Sequence, residues 1–593
     1  MKKFFLISIL LLLFINVFTS ELTKREFDSR IKFSESLKLL FDNKKYEARI
    51  KLADAISGEV YIEDIPKFWY YAAKLDLQLG RIDKAKQDLD NILLFSAQNE
   101  NVNTLKNFIR NIEKFSLTDY STPIFLDIEK INGNYKSYER FYSPVDAEVL
   151  NSEIYILDST NNRIFKKNDE EQWIKLPKMT YYGMTSDNKL NRIYLGTNKG
   201  IYYFNSYAKN NFFNINFKDT AESTTSTNTE SKLFKLTNDG SYAVFDVDNA
   251  GRICAFDSYK GYLTIFGYDG EILQQKKFDY NVIFTSGVYY QNKIYLLESI
   301  SKQIYVYDTL TKRVIDKVQL DKNDFYNSIT VLPWGPLLID SYKKGIFIFN
   351  LENKKVTPTK IKNFYGKIKL KYGILTLIDS KNSNVYIKRV VSKSKSIYNI
   401  NIYGLFFDKE KLKVSGKINV SDLNGNNIEY LLKNFYVNDT GGRVNFNYTR
   451  NFIKTNVYTY NSIEEFFKTG ISQIKTDSFI ITKGNIKEKP KAEKIIPLLL
   501  SGSSIFYLRD LNDLTDVLNN IIYTTGGIII SPEEENYLNK YLNFAYNPVD
   551  MIDYSLTPPI VQGIKQTKVT INMNKQILSD TLYYFTEGVG LGE

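Results

Sequence analysis

Between residues 140 and 390 short apolar runs alternate with polar turns, and the pattern repeats. Ile154-Tyr155-Ile156-Leu157 is followed by Asp158-Ser159, a short polar stretch, and Arg163-Ile164-Phe165. The same order recurs at Ile253-Cys254-Ala255-Phe256-Asp257-Ser258 with Leu263-Thr264-Ile265-Phe266, and at Ile294-Tyr295-Leu296-Leu297-Glu298-Ser299 with Gln303-Ile304-Tyr305-Val306-Tyr307. It returns at Leu337-Leu338-Ile339-Asp340-Ser341 with Gly345-Ile346-Phe347, and at Leu375-Thr376-Leu377-Ile378-Asp379-Ser380 with Asn384-Val385-Tyr386-Ile387. A sixth unit, Ile193-Tyr194-Leu195-Gly196-Thr197 with Gly200-Ile201-Tyr202, lacks the acid. Runs of this length, bounded by turn residues, predict strands. Residues 25–116 follow a different period. Leu75, Leu79 and Ile82, then Leu89, Ile92 and Leu93, stand three or four apart, which predicts helices. Residues 398–593 mix both patterns.

The hydroxyl residue of the six units falls at 159, 197, 258, 299, 341 and 380, giving steps of 38, 61, 41, 42 and 39. A period near 40 suits a four-stranded propeller blade. The long step holds a Ser/Thr-rich stretch near Thr220 to Glu230, expected to be an exposed loop. The order strand, Asp-Ser, turn, Arg/Gln-Ile-aromatic resembles NHL repeats, which implies a six-bladed β-propeller over 122–392. In that arrangement Asp158, Asp257, Asp340 and Asp379 are expected to bond the amides of the following turn. Some propellers of this shape are lyases that rely on histidines, or lactonases that hold Ca²⁺ with acids on inner strands. For the second possibility Asp146, Asp187, Asp246 and Asn327 are the candidates.

In the helical segment Trp69, Ala73, Gly80, Ala85 and Leu89 resemble a tetratricopeptide repeat. A weaker copy has Ala48 and Leu52, 37 residues before Ala85 and Leu89, with Asn43 where the second copy has Gly80. An antiparallel helical bundle is the other reading; either presents a face for peptides or proteins. In the C-terminal region Lys417 to Gly425 and Asn434 to Val437 look like the β-element that often precedes a von Willebrand factor A domain. Ser478 to Gly484 then resembles that family's strand ending in Thr-Asp-Gly, Leu514 to Ile522 its next helix, and Thr524-Thr525-Gly526-Gly527 its Thr-Gly-Gly turn. Residues 551–585 resemble the closing helix and strand. Lys483 replaces the metal-side acid, and no Asp-x-Ser-x-Ser precedes 478, so the resemblance implies a shortened, metal-free domain; an unrelated α/β domain is the alternative.

Composition narrows the chemistry. The 593 residues include 45 Tyr and 39 Phe, which favours strands, and 43% apolar residues, enough for several cores. There is no histidine, which excludes Ser-His-Asp and Cys-His catalysis and histidine-ligated zinc. Cys254 is the only cysteine, so no internal disulfide can form. Lys2, Lys3 and the apolar run Phe4 to Phe18 read as a secretory signal over 1–20, an uncleaved anchor being the alternative. The net charge of +11 is spread along the chain, which speaks against nucleic-acid binding.

The expected architecture is therefore multidomain. It comprises a signal peptide (1–20), tetratricopeptide-like helices (21–118), an all-β six-bladed propeller (122–392) and a C-terminal α/β domain with its β-element (398–593). The expected function is an exported, non-enzymatic binding or scaffolding protein of the bacterial cell envelope, whose partners are other envelope proteins or peptides. Alternatives are a calcium-dependent propeller hydrolase and a carbohydrate-binding propeller. No catalytic, cofactor or metal residue is assigned.

Overall fold

Each unit of the repeat folds into one antiparallel sheet. In the computed structural model, six four-stranded sheets begin with the strands Asp146–Leu150, Tyr181–Asp187, Tyr242–Val247, Phe284–Tyr290, Tyr326–Val331 and Lys367–Lys371. These first strands neighbour one another in a closed ring, the last beside the first, so the chain contains a β-propeller with blades 1 to 6 in that order. The structure describes residues 24–588, apart from 96–99, 114–121, 207–232, 393–397, 423–434, 485–496, 510–515 and shorter interruptions. The expected signal peptide and the Ser/Thr-rich stretch therefore lie outside the described residues.

Blade 6 is built from both ends of the propeller segment. Its outer strand is Pro123–Asn132, which runs antiparallel to Asn384–Ser392 from Pro123↔Ser392 to Asn132↔Asn384. Ile131 on this strand is fully buried with Ile154, Ile378 and Val385, so closure places side chains of blades 1 and 6 in one core.

The turn after the second strand of each blade explains most of the repeat. Asp257 accepts from the amides of Tyr259 (3.0 Å) and Lys260 (3.1 Å), Asp379 from that of Asn382 (3.0 Å), and Glu298 from those of Ile300 (3.0 Å) and Ser301 (2.5 Å). Asp158 instead binds side chains, Asn161 Nδ2 and Arg163 Nε. The hydroxyls of Ser159, Ser299 and Ser380 donate across to the next blade, onto the carbonyls of Tyr181, Tyr326 and Pro144. Asp257→Ala leaves two amides of a tight turn without their partner. Urea melts are expected to show a loss of about 1–3 kcal/mol.

Two of the six hydroxyl positions and one acid are exceptions. Thr197 pairs with Tyr181 and Ser341 with Tyr326 in the ladder, where Asp257 pairs with Tyr242 and Glu298 with Phe284. Both therefore occupy the acid's place, one position before Ser258 and Ser299. The cause is turn length. Two residues separate Thr197 from its partner Gly200 and three separate Ser341 from Gly345, against four between Asp257 and Tyr262. Positive φ at Gly200 (122°) and Gly345 (112°) permits the tighter reversal. Because side chains alternate along a strand, Asp340 then points to the opposite face from Asp257. Contrary to expectation it does not bond the following turn; it accepts from Ser328 N (2.6 Å), Ser328 Oγ (2.9 Å) and Asn327 N (3.3 Å) on its own blade's first strand.

Helices cover 24–41, Lys45–Ile56, Ile65–Gln78, Ile82–Leu93 and Glu100–Glu113. Asn43 (φ 66°) and Gly80 (φ 76°) turn the chain between consecutive helices in the left-handed region, as their matching places in the sequence suggest. Phe33, Phe68, Tyr71 and Leu75 pack into one core with Leu405, Val414, Tyr554, Leu582 and Tyr584 from the C-terminal strands. Lys74 adds a buried ion pair with Asp580 at 2.6 Å.

The C-terminal region is interrupted. Strands Tyr398–Asp408, Lys413–Asp422, Asn447–Lys454 and Tyr546–Ser555 form one antiparallel sheet; Phe435–Asp439, Gly442–Arg443, Gly563–Met573 and Gln576–Thr586 form another. Residues 551–585 thus carry strands and no helix among the described residues, because long alternating runs such as Gly563–Met573 pair as hairpins. Between the two halves sits an α/β unit with four parallel strands in sequence order, Val457–Tyr460, Phe479–Lys483, Ser504–Leu508 and Ile528–Ile530. Its strands are apolar on both faces. Phe479, Ile481, Phe506 and Leu508 pack with Tyr537 and Tyr541 of the helix Glu535–Phe544, while Ile480, Ile505 and Ile529 pack with Leu518, Ile521 and Ile522 of Asp516–Thr524.

Candidate functional site

The propeller channel is crossed by lysines. Lys367, Lys369 and Lys371 alternate on the first strand of blade 6, so all three point the same way, toward the ring axis. Lys367 Nζ lies 2.5 Å from Asp146 and Lys369 Nζ 2.5 Å from Glu148, both on blade 1. Lys371 Nζ reaches Asp246 on the opposite blade 3 at 3.1 Å and the Ser186 carbonyl at 2.5 Å. Burial alone would raise the Asp146 carboxyl, but the two neighbouring ammonium groups, with the Met184 amide (2.9 Å), hold it below its ordinary value.

The four calcium candidates do not converge. Asp146 and Asp246 are committed to lysines and to the amides of Met184 and Tyr289. Asp187 accepts from Leu190 N, Lys189 N and, at 3.1 Å, Tyr541 Oη of the α/β unit; burial pushes its pKa up. Asn327 donates to the Gly366 carbonyl at 2.7 Å. Among the described residues no three acidic, cysteine or histidine side chains are grouped to hold a metal. Lys483 is exposed at the end of Phe479–Lys483.

The end of the channel nearest Lys371 opens into a cavity of about 230 Å³ walled by the propeller on one side and the α/β unit on the other. Its aromatic wall comes from the end of the first strand of blade 4, Tyr289 and Tyr290, and from the loops after the first strands of blades 5 and 6, Trp334 and Tyr372. Tyr523, Gly526 and Gly527 face them. Tyr289 is 8% exposed, yet its Oη is buried without a hydrogen-bond partner among the described residues, and so is Trp334 Nε1. Burial also keeps the Tyr289 and Tyr523 phenols protonated, raising both pKa values. Both atoms are shielded from the open space of the cavity as well as from acceptors among the described residues, so what the cavity presents to a ligand is its aromatic wall.

The corresponding loops of blades 2 and 3 are polar and hold the α/β unit in place. Arg252 is fully buried between Asp248 (2.7 Å) and Glu534 (2.8 Å), and Gln274 holds the other Glu534 oxygen at 2.8 Å. Lys189 lies over the rings of Phe479 (4.6 Å) and Phe506 (4.7 Å), with burial lowering its pKa to about 8. Tyr537 donates to the Ala250 carbonyl, and Tyr541 covers Gly251, where a Cβ would come within 2.1 Å of its ring. Asn249 Nδ2 donates to the Gly526 carbonyl at 2.9 Å. The Thr-Gly-Gly turn has a structural part in this junction. Thr525 Oγ1 accepts from the Ile505 amide and donates to Ile522 O, and a Cβ on Gly527 would lie 1.7 Å from the Ile505 carbonyl. The aromatic residues that end or follow the first strands of blades 4–6, against polar loops in blades 2–3, are visible in the sequence only once the blades are aligned on their first strands, whereas the repeat stands out at the second-strand turns.

No protein-family model matches the chain, and no curated protein matches it. Among solved structures, the chain resembles the WD40 β-propeller domain of Doa1 (13% identity, TM-score 0.31), covering 44% of this chain and 96% of that one. It also resembles a catalytically inactive virginiamycin B lyase from Staphylococcus aureus solved with quinupristin (13%, TM-score 0.31, 50% and 96% covered) and a streptogramin B lyase (10%, TM-score 0.31, 46% and 98% covered).

Proposed function

We propose that the chain is an exported recognition protein of the cell envelope, without catalytic activity, and that it takes its ligand in the cavity at the propeller mouth. The observation that carries this reading is the cavity itself, about 230 Å³ at the propeller mouth and walled by Tyr289, Tyr290, Trp334, Tyr372 and Tyr523. Such a wall suits a ligand that packs planar or apolar groups against aromatic rings, and a peptide meets that description. The channel carboxylates support binding over hydrolysis, because each is already engaged by a lysine or a main-chain amide. We read the propeller as of NHL type and the helices as tetratricopeptide-like. We read 457–545 as a degenerate, metal-free von Willebrand A-type unit; its sequential parallel strands and Thr-Gly-Gly turn favour that.

Trp334 is one of three tryptophans and the one that lines the cavity, so its fluorescence reports occupancy. The chain from Glu21 onward is titrated with a random pentapeptide library and a set of neutral oligosaccharides. Peptides are expected to shift the emission, and Tyr290→Ala and Trp334→Ala are each expected to weaken peptide binding, measured by calorimetry, about tenfold with unchanged far-UV circular dichroism. Peptide binding indifferent to both substitutions contradicts the site. Binding of sugars alone moves the ligand class to carbohydrate.

A further inference from the structure

The two ends of the propeller disc differ. The loops joining first to second and third to fourth strands are held against the α/β unit in blades 2 to 4, through Lys189, Asn249, Arg252, Tyr268 and Lys312. The opposite end carries the second-to-third-strand turns and the connections between blades. On blades 3 to 5 that end displays large apolar side chains: Tyr280 (86% exposed), Tyr259 (82%), Ile300 (70%), Phe325 (64%), Tyr342 and Ile283. Tyr259, Ile300 and Tyr342 occupy the position after the repeated hydroxyl in three successive blades. Such a concentration on one face marks an interaction surface.

These side chains stand at turn tips and do not line a groove. The turns beneath them are stiff, because Asp257 holds the amides of Tyr259 and Lys260, and Glu298 holds those of Ile300 and Ser301. Basic residues surround them. Lys260, Lys276, Lys277 and Lys322 are exposed, and Lys302 lies 4.7 Å over the Phe325 ring with its ammonium directed to the Lys322 carbonyl. The exposed acids on the same connections are Asp279 and Asp321, and Asp321 is turned to the Asn323 amide. Apolar and aromatic tips rimmed by an excess of lysine match the interface of a membrane with anionic headgroups: the tips enter the acyl boundary and the ammonium groups meet phosphate.

We propose that this end of the propeller, on blades 3 to 5, docks reversibly on an anionic lipid surface, leaving the mouth cavity on the far side open to its ligand. The test is flotation of the chain from Glu21 onward, so that the apolar leader cannot contribute. Vesicles are of phosphatidylcholine alone or of equal parts phosphatidylcholine and phosphatidylglycerol. The protein is expected to float with the anionic vesicles and far less with the neutral ones. Tyr259→Ser, Ile300→Ser and Phe325→Ser together are expected to lower partitioning at least tenfold with an unchanged melting curve, since all three side chains are exposed. Lys260→Gln with Lys322→Gln is expected to flatten its dependence on salt. Ile315→Ser, an exposed outer-strand position, serves as the control that leaves flotation unchanged. A wild-type chain that ignores anionic vesicles overturns the proposal and leaves the patch to a protein partner. So does a triple variant that floats as well as wild type.

Discussion

Arg252→Ala is expected to destabilise the protein by about 3–5 kcal/mol and to loosen the α/β unit from the propeller. Arg252 is fully buried and is the cation between Asp248 on its own blade and Glu534 across the junction. Removing it leaves two carboxylates facing one another in a dry setting, with Gln274 alone at Glu534. The penalty comes mainly from those stranded charges and less from the lost attraction. Limited proteolysis should then cut within 457–545 under conditions that spare the wild type, and urea unfolding should separate into two transitions. Glu534→Gln, which keeps Gln274 as a neighbour, should cost less. A loss below about 1 kcal/mol for Arg252→Ala would mean that the junction is held by the apolar packing of Tyr537, Tyr541 and Tyr268, and that the ion network adds little.

The second large effect is a pH dependence. Burial raises the Asp340 pKa from 3.8 to about 7, although Ser328 and Asn327 donate to one of its oxygens; the other oxygen has no partner among the described residues. The native state therefore holds a proton that the unfolded chain releases near pH 4. Between those values stability falls as pH rises, because the unfolded state binds fewer protons. The contribution is fully present below pH 4 and is lost as pH passes about 7, on the order of 4 kcal/mol in all. Asp477, half-buried beside Lys45 and Lys417, acts in the same direction with a pKa of about 7. Asp340→Asn keeps an accepting oxygen toward Ser328 and cannot ionise. The difference between wild-type and variant urea midpoints should thus favour the wild type at pH 5 and reverse by pH 8. A difference that stays constant across that range would show that Asp340 is ionised in the native protein throughout.

Asp340 also shows where sequence reasoning reached and where it stopped. Alternation and the spaced turn acids identify the blades because a four-stranded sheet needs the same chemistry at each reversal. Asp257, Glu298 and Asp379 bond turn amides accordingly. A shortened turn keeps the letters Asp-Ser but moves them by one ladder position, and a shift of one reverses the face. That is how Asp340 left the turn while Asp257 stayed. The closing strand Pro123–Asn132 pairs with residues some 260 positions away, and its own pattern is only that of an ordinary strand, so nothing local marks its role. The parallel strand Phe479–Lys483 was legible from its apolar run. The insertion of its unit between two neighbouring strands of one antiparallel sheet was not, since Asn447–Lys454 and Tyr546–Ser555 pair across the whole of 457–545. The mouth cavity escaped for a related reason. Tyr289, Trp334 and Tyr372 are unremarkable singly, and they gain meaning when the ring brings three neighbouring blades together beneath Tyr523.

Whether the mouth serves recognition or hydrolysis is tested most directly by turnover. Histidine, the side chain whose unperturbed pKa suits general base work near neutrality, is absent, and the channel acids are held by Lys367, Lys369 and Lys371. The chain from Glu21 onward, assayed with lactone, ester, phosphoester and glycoside substrates, is expected to give rates indistinguishable from buffer, with or without Ca²⁺. Hydrolysis that EDTA abolishes and added Ca²⁺ restores would contradict the account and make the propeller a calcium-dependent enzyme.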